Sequence, residues 1–304
     1  MDTYDFTSVD QLAPLRRRAF SIAYRMLGSV AEAEDIVQEA LLRLHKSRAE
    51  GVEIESPEAF ISTVATRLAI DHLRLARVQR ETYVGEWLPE PVVEETETPD
   101  GLELAETLSM AFLLLLETLT PVERAVFLLR AAFDYGYDEI ATIVGKTEDN
   151  CRQIFVRARK HIDAGKPRFE PSPQMRHAIA RRFFEACQDG DLQPLVQLLA
   201  EDATLYGDGG GKAAAVAHPL RGGERVAAFM RGIFAKGKLV GGEARLVTVN
   251  GQPGAMLLDG ERRLVAVMSL EIAEGKIQSI RSVLNPDKLR HLAPLSDLAV
   301  LKRK

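Results

Sequence analysis

At 304 residues the chain has room for two or three domains with cores of their own, and its net charge of −5 excludes a protein that coats nucleic acid indiscriminately. Charged residues at 27% and hydrophobic ones at 46% suit a soluble globular protein, and no apolar run approaches the roughly 20 residues that cross a bilayer. An amino-terminus without signal-peptide layout and only two cysteines, Cys151 and Cys187, predict a reduced, cytoplasmic setting without disulfides.

Residues 10–46 predict two helices. Leu12, Leu15, Ala19, Ile22, Ala23 and Met26 form one apolar stripe, which ends near Gly28. Ser29 is placed to cap the second helix. There Ile36, Val37, Ala40, Leu41 and Leu44 face inward, and Asp35, Gln38, Glu39 and Arg43 share the opposite face. By itself such a face is most simply a solvated one.

Residues 48–56 are expected to form a polar loop closed by Ser56 and Pro57, the start of a helix that runs to about Arg80. It should bury Phe60, Ile61, Val64, Leu68 and Leu75. Its later half carries Arg67, His72, Arg74, Arg77 and Arg80 against Asp71, more positive charge than a helix C-terminus needs, which favours a phosphate-tracking face.

From Thr82 to Glu106 the chain turns acidic, with Pro89, Pro91 and Pro99 and no Lys or Arg, the composition of a solvated linker. Within it YVGEWLPEP holds Tyr83, Trp87 and Leu88, an apolar anchor suited to docking on another surface. Helices resume at about Leu104–Leu119, and Thr120-Pro121 opens another. YDEIATIVGKTEDNCRQIFVRARKHI, residues 137–162, then reads as two helices around a tight turn at Gly145. The second would bury Cys151, Ile154, Phe155, Ala158 and Ile162 and present Asn150, Arg152, Gln153, Arg157, Arg159 and Lys160. Amides and guanidinium groups on one short helix are the chemistry of a major-groove reader. A helical hairpin with a solvated basic face is the plainer alternative.

After a break at Ala164–Pro173 the pattern becomes α+β. Helices at Met175–Cys187 and through Leu199 precede Ala203–Tyr206, the turn DGGGK at 208–212, a strand at 213–218 and a helix from about Gly223 to Phe234. Alternating runs at Ala244–Val249, Ala255–Leu258, Arg263–Ile272 and Lys276–Val283 close a curved sheet with a cone-like pocket. Asp202, Asp208 and His218 are the candidate acid–base groups there, but no pair has a convincing spacing; Asp208 reads as an exposed turn residue and His218 as a strand end. DGGGK is not a phosphate loop, since Tyr206 and Ala213 stand where a Walker motif needs Gly and Ser or Thr.

Across the first 165 residues, AEDIVQEALLRL, TRLAIDHLRLARVQR and the 119–162 stretch resemble a bacterial extracytoplasmic-function sigma factor. The resemblance implies two all-α domains: region 2 at 8–81 and a region 4 helix-turn-helix at 104–165, joined by a linker at 82–103. It implies that Asp35, Gln38 and Glu39 contact the clamp of core RNA polymerase. Arg67, Asp71, Arg74, Arg77 and Arg80 would meet the −10 element, with Asp71 in a structural role as the alternative, and the 150–160 helix the −35 element.

The loop 48–56 lies where this family captures a flipped base, and it has no aromatic residue to stack on one. RETYVGEWLPEP, DGGGK and Asn285-Pro286-Asp287-Lys288-Leu289 are similar to motifs of the group with a fused SnoaL-like, NTF2-type domain, expected at 174–290 after a linker at 166–173 and before a tail at 291–304. In that group the fused domain is thought to regulate the sigma factor in place of a separate anti-sigma protein. Trp87, Leu88, Pro89, Asp208, Gly209, Gly210, Gly211, Lys212, Asn285, Pro286, Asp287 and Lys288 are the implied regulatory contacts. No cofactor, metal or catalytic residue is implied. A transcription regulator whose NTF2-like domain binds a small ligand or retains an activity is the alternative.

Overall fold

The computed structural model describes residues 9–94, 108–164, 172–239 and 241–297. They separate into two compact units, one from 1–81 with 115–165 and the other from 82–114 with 166–304. No helix among the described residues is long and apolar enough to cross a membrane.

The first unit is all helical. Helices α1 (Val9–Leu27), α2 (Val30–Ala49) and α3 (Pro57–Glu81) pack as a bundle. Its core holds Leu15, Ile22 and Met26 with Ile36, Val37, Leu44, Ile61 and Ala65. The Ser29 hydroxyl accepts from the Glu32 amide at 3.2 Å and caps α2. Leu75 was expected inside and is 73% exposed; Ala69, Ile70 and Leu73 carry the buried stripe instead.

Helices α5 (Pro121–Ala131), α6 (Tyr137–Val144) and α7 (Glu148–Ala164) complete this unit; the short α4 (Met110–Leu116) precedes them. Thr120 and Glu123 form a capping box with Pro121 in the first turn. Gly145 ends α6 at φ 67°, a left-handed conformation in which a side chain would be strained.

The two expected helical domains are one packed unit. The buried Arg124 donates to the Met26 carbonyl at 2.5 Å and pairs with Glu117 at 2.9 Å. Arg18 donates to Ser62 Oγ and to the Tyr135 hydroxyl, at 2.9 and 2.8 Å, with its guanidinium over the Tyr135 ring. Each cation thus joins α1 or its carbonyl end to the helices that follow α3.

The second unit is built on a seven-stranded sheet in the order β1-β4-β5-β6-β7-β2-β3. The strands are β1 (Val93–Glu94), β2 (Leu199–Asp208), β3 (Leu220–Arg221), β4 (Glu243–Val249), β5 (Gln252–Leu258), β6 (Leu264–Ala273) and β7 (Lys276–Val283). Among these strands β2 and β7 pair in parallel, with Tyr206 opposite Arg281 and Asp208 opposite Val283, and the other pairs are antiparallel. The expected strand at 213–218 is irregular chain, and the pairing it would have supplied is reduced to Leu220–Arg221.

One face of the sheet is covered by α8 (Pro173–Asp189), α9 (Leu192–Leu198) and α10 (Gly223–Leu239). Phe183, Phe184 and Met230 pack there with Leu205, Met268, Leu270 and Ile280. These side chains fill the expected cone. A recess of about 150 Å³ lies beside His177, Arg181, Thr248 and Gly254, itself well below the roughly 300 Å³ at which small-molecule pockets begin.

The opposite face takes up residues 82–94, which the sequence reading placed in a solvated linker. Leu88 is 1% exposed and joins Val249, Met256, Val267, Val283 and Leu289, with Met110 and Leu114 of α4 in the same cluster. Burying Leu88 stabilises this attachment by about 1.5–3 kcal/mol. Val93 and Glu94 extend the sheet by pairing with Val249 and Thr248. The expected tail also begins within the fold: Leu292, Ala293 and Leu295 pack on the same cluster, and His291 Nε2 lies 2.9 Å from the Pro91 carbonyl. Residues 1–8, 95–107, 165–171, 240 and 298–304 lie outside the described residues.

Candidate functional site

Three stretches far apart in sequence meet in the second unit. Asp208, read from sequence as an exposed turn residue, is 0% exposed at the end of β2. One carboxylate oxygen accepts from the Tyr83 hydroxyl at 2.5 Å. The other accepts from the Leu88 amide at 2.8 Å and the Lys288 ammonium at 2.7 Å. The Lys288 nitrogen also donates to the Leu88 carbonyl and lies 4.4 Å from the Trp87 ring centroid and 4.8 Å from that of Tyr83. A cation between two aromatic faces and a carboxylate is held by quadrupole and charge together.

The surrounding turns fit this core. Asn285 donates from Nδ2 to the Tyr83 hydroxyl, and its Oδ1 accepts from the Asp287 amide in a short 3₁₀ turn, Pro286–Lys288. Asp208 accepts the Leu284 and Asn285 amides at its main-chain carbonyl. Gly210, at φ 57°, leaves no room for a Cβ, which would stand 2.2 Å from Asn285 Nδ2. Gly211 faces Val84, Gly209 backs on the Ala213 carbonyl, and Lys212 pairs with Asp287. Burial, with the hydrogen bond donated to Asp208, raises the Tyr83 phenol well above its ordinary pKa.

Pro89 is buried beside Leu88, and the chain beyond is held by a residue that sequence reasoning missed. Asn250, 2% exposed, accepts from the Val92 amide at 3.0 Å and donates to the Leu108 carbonyl at 3.0 Å. Asn250-Gly251 has the composition of a two-residue hairpin turn, and both residues have positive φ. That much was readable from the sequence; the partners of the side chain were not.

The candidate acid–base groups do not form a centre. Asp202 and His218 are exposed, and the Asp208 carboxylate is taken up by Tyr83, Leu88 and Lys288. No group of three or more metal-ligating side chains occurs among the described residues.

In the helical unit, Asp35 and Gln38 are exposed on α2, and Glu39 is partly so, paired with Arg43 at 2.7 Å. An exposed pair of this kind contributes about 0.3–0.5 kcal/mol, so it presents little obstacle to exchange for another partner. On α3, Arg74 pairs with Asp71 at 3.0 Å. Arg67 donates to the Ile143 and Thr142 carbonyls at 2.9 Å each, capping the end of α6. Arg77 and Arg80 lie on the same helix, with side chains outside the described residues.

On α7, Cys151, Ile154, Ala158 and Ile162 are buried as expected, and Asn150, Arg152, Gln153, Arg157, Arg159 and Lys160 are all exposed. Arg152 pairs with Glu148 at 3.1 Å over the Tyr137 ring, and Arg159 with Asp163 at 3.5 Å. The helical period places Gln153 and Lys160 opposite the buried stripe, Asn150 and Arg157 on one flank, and Arg152 and Arg159 on the other.

Sequence models of known families match all three parts of the chain: Sigma-70 region 2 at 12–78, Sigma-70 region 4 at 109–162 and a SnoaL-like domain at 180–280. The chain is 36% identical over 291 residues to the ECF RNA polymerase sigma factor SigJ of Mycobacterium tuberculosis, covering 92% of each. The chain belongs to the extracytoplasmic-function sigma factors. It is also 33% identical to a probable ECF sigma factor, SigI, of the same species, over 88% of this chain and 90% of that one. The crystal structure of SigJ superposes with a TM-score of 0.76 at 34% identity, covering 95% of this chain and 100% of that one.

As a sigma factor the chain directs RNA polymerase to promoters, and α6 and α7 are its region 4 helix-turn-helix. The region 4 match begins at residue 109, whereas Met110 and Leu114 pack on the SnoaL-like sheet. The last residues of the inter-region segment therefore serve the C-terminal unit.

Proposed function

We propose that this sigma factor grips core RNA polymerase through Asp35, Gln38 and Glu39, reads the −35 element with α7, and is controlled by the attachment of its inter-region segment to its own SnoaL-like domain. The observation that carries the control is the burial of Leu88 and the enclosure of Lys288 by Asp208, Tyr83 and Trp87. The chain between regions 2 and 4 is anchored near both of its ends: at residues 83–94 through this cage and β1, and at Leu108 and Met110 through Asn250 and the apolar cluster. How far the two regions can part on a promoter then depends on release both of their own packing and of this attached segment. No separate anti-sigma protein is needed for that, nor a ligand, nor a catalytic step.

For the −10 element, Arg74, Arg77 and Arg80 remain the proposed phosphate contacts, with Asp71 orienting Arg74. Arg67 has a second role. In the free chain it caps α6, so it must exchange the Thr142 and Ile143 carbonyls for phosphate when region 2 meets DNA. A charge-assisted contact to phosphate is a fitting replacement.

Run-off transcription with core enzyme tests the reading. The native chain is expected to give promoter-specific transcripts that core alone does not, and Trp87→Ala and Lys212→Ala are expected to change their yield. Equal yield from native and both variants would remove the proposed control while leaving the sigma assignment intact.

A further inference from the structure

One residue on the outer face of α7 does not match its neighbours. Val156 is 65% exposed, three or four residues from Arg152, Gln153, Arg159 and Lys160, all exposed as well. By the helical period it sits on the surface away from the buried Cys151, Ile154, Ala158 and Ile162, between Gln153 and Lys160 on one side and Arg152 and Arg159 on the other. A β-branched apolar side chain there leaves most of its surface to solvent, and its helix propensity is below that of the Lys, Arg or Gln around it.

The flanking groups define what can approach. A cationic and amide-bearing helix face is complementary to the major groove of duplex DNA. Within that groove the only apolar feature an unmodified base pair offers is the C5-methyl group of thymine.

We infer that Val156 is a specificity-determining residue that packs against the methyl group of one thymine in the −35 element. The inference rests on the proposed docking of α7 on that element. Gln153 and the flanking arginines supply hydrogen bonds and phosphate contacts that fix the helix in register, and Val156 then distinguishes thymine from cytosine at one position by shape. The contact needs no movement of the α7 backbone, since the side chain already projects from it.

The test uses full-length protein with core polymerase on a promoter selected from templates randomised through the −35 region. Each thymine is replaced in turn by deoxyuridine, which removes the methyl group and leaves every hydrogen-bonding atom in place. For the native chain, one replacement is expected to lower open-complex formation by about four-fold, the effect of one buried methyl group. Val156→Ala, which keeps the helix and raises its propensity, should lose the same factor on the thymine template and be indifferent to that replacement. Tolerance of every replacement by the native chain, or the same loss in native and variant, would overturn the contact. Failure of the native chain to initiate on any selected promoter would instead contradict the docking of α7 itself.

Discussion

At the scale of single residues, the Asp208–Lys288 pair makes the firmest demands. Both groups are enclosed, at 0% and 9% side-chain exposure, so removing one leaves the other charged and without its partner. Lys288→Met is expected to lower unfolding stability by about 3–5 kcal/mol, and Asp208→Asn with Lys288→Met to recover part of that loss. Chemical denaturation of the four proteins measures it; purely additive losses would deny the coupling.

Tyr83 adds a pH dependence. Its folded-state pKa is raised, so the folded chain holds a proton that the unfolded chain releases near pH 10. The stability tied to Tyr83 is therefore complete below about pH 10 and falls as pH rises beyond it. Tyr83→Phe should be less stable at pH 8 and show a flatter decline between pH 9 and 11, read from urea midpoints. Parallel declines would contradict this. Sequence showed Tyr83 and Trp87 as anchors, and the resemblance set their segment beside DGGGK and Asn285–Lys288; the enclosure of Lys288 between the two rings was not legible there. The misreading of Asp208 has a physical origin: glycines on its C-terminal side signal a turn, whereas burial comes from β2 pairing with β7 and from a lysine 80 residues away.

At the scale of elements, local signals served well where they were cooperative. The apolar stripes of α2 and α7, the Thr120-Pro121 start and the glycine stop of α6 all appear where the pattern placed them. The segment at 82–94 was not legible in the same way. Its acidic, proline-rich composition has no period, and Leu88 is buried only because a hydrophobic sheet face from much later in the chain is there to receive it. The 213–218 run failed in the opposite sense: expected as a strand, it is irregular, and only Leu220–Arg221 just after it pairs with β2.

Gly210 tests the fit of these turns. Gly210→Ala must displace Asn285, and its left-handed conformation adds strain, so destabilisation of about 1–3 kcal/mol is expected with faster amide exchange around 285–288. Exchange unchanged in that segment would show that the turn yields without disturbing it. On α3, Arg67→Ala should raise amide exchange in α7's first turn less than it loosens the C-terminal end of α6, because its two acceptors are there.

At the scale of the molecule, the partition into units does not follow the order of the chain. Regions 2 and 4 share one packed body through Arg18, Arg67 and Arg124, while the segment that separates them in sequence belongs to the SnoaL-like unit. Deletion after Pro171 would therefore bare Leu88, Val93, Met110 and Leu114, and the shortened chain should be cleaved within 82–94 by a protease that spares the native protein. Point variants in the cage separate control from folding better than such a truncation does.

The central claim is that a carboxylate-and-amide ridge on α2 holds the polymerase. Titration of fluorescently labelled full chain with core enzyme measures it directly. The account predicts saturable binding that Asp35→Ala with Glu39→Ala weakens at least ten-fold, while helical content and thermal midpoint stay at native values. Equal affinity of native and variant, or no binding by either, would contradict it.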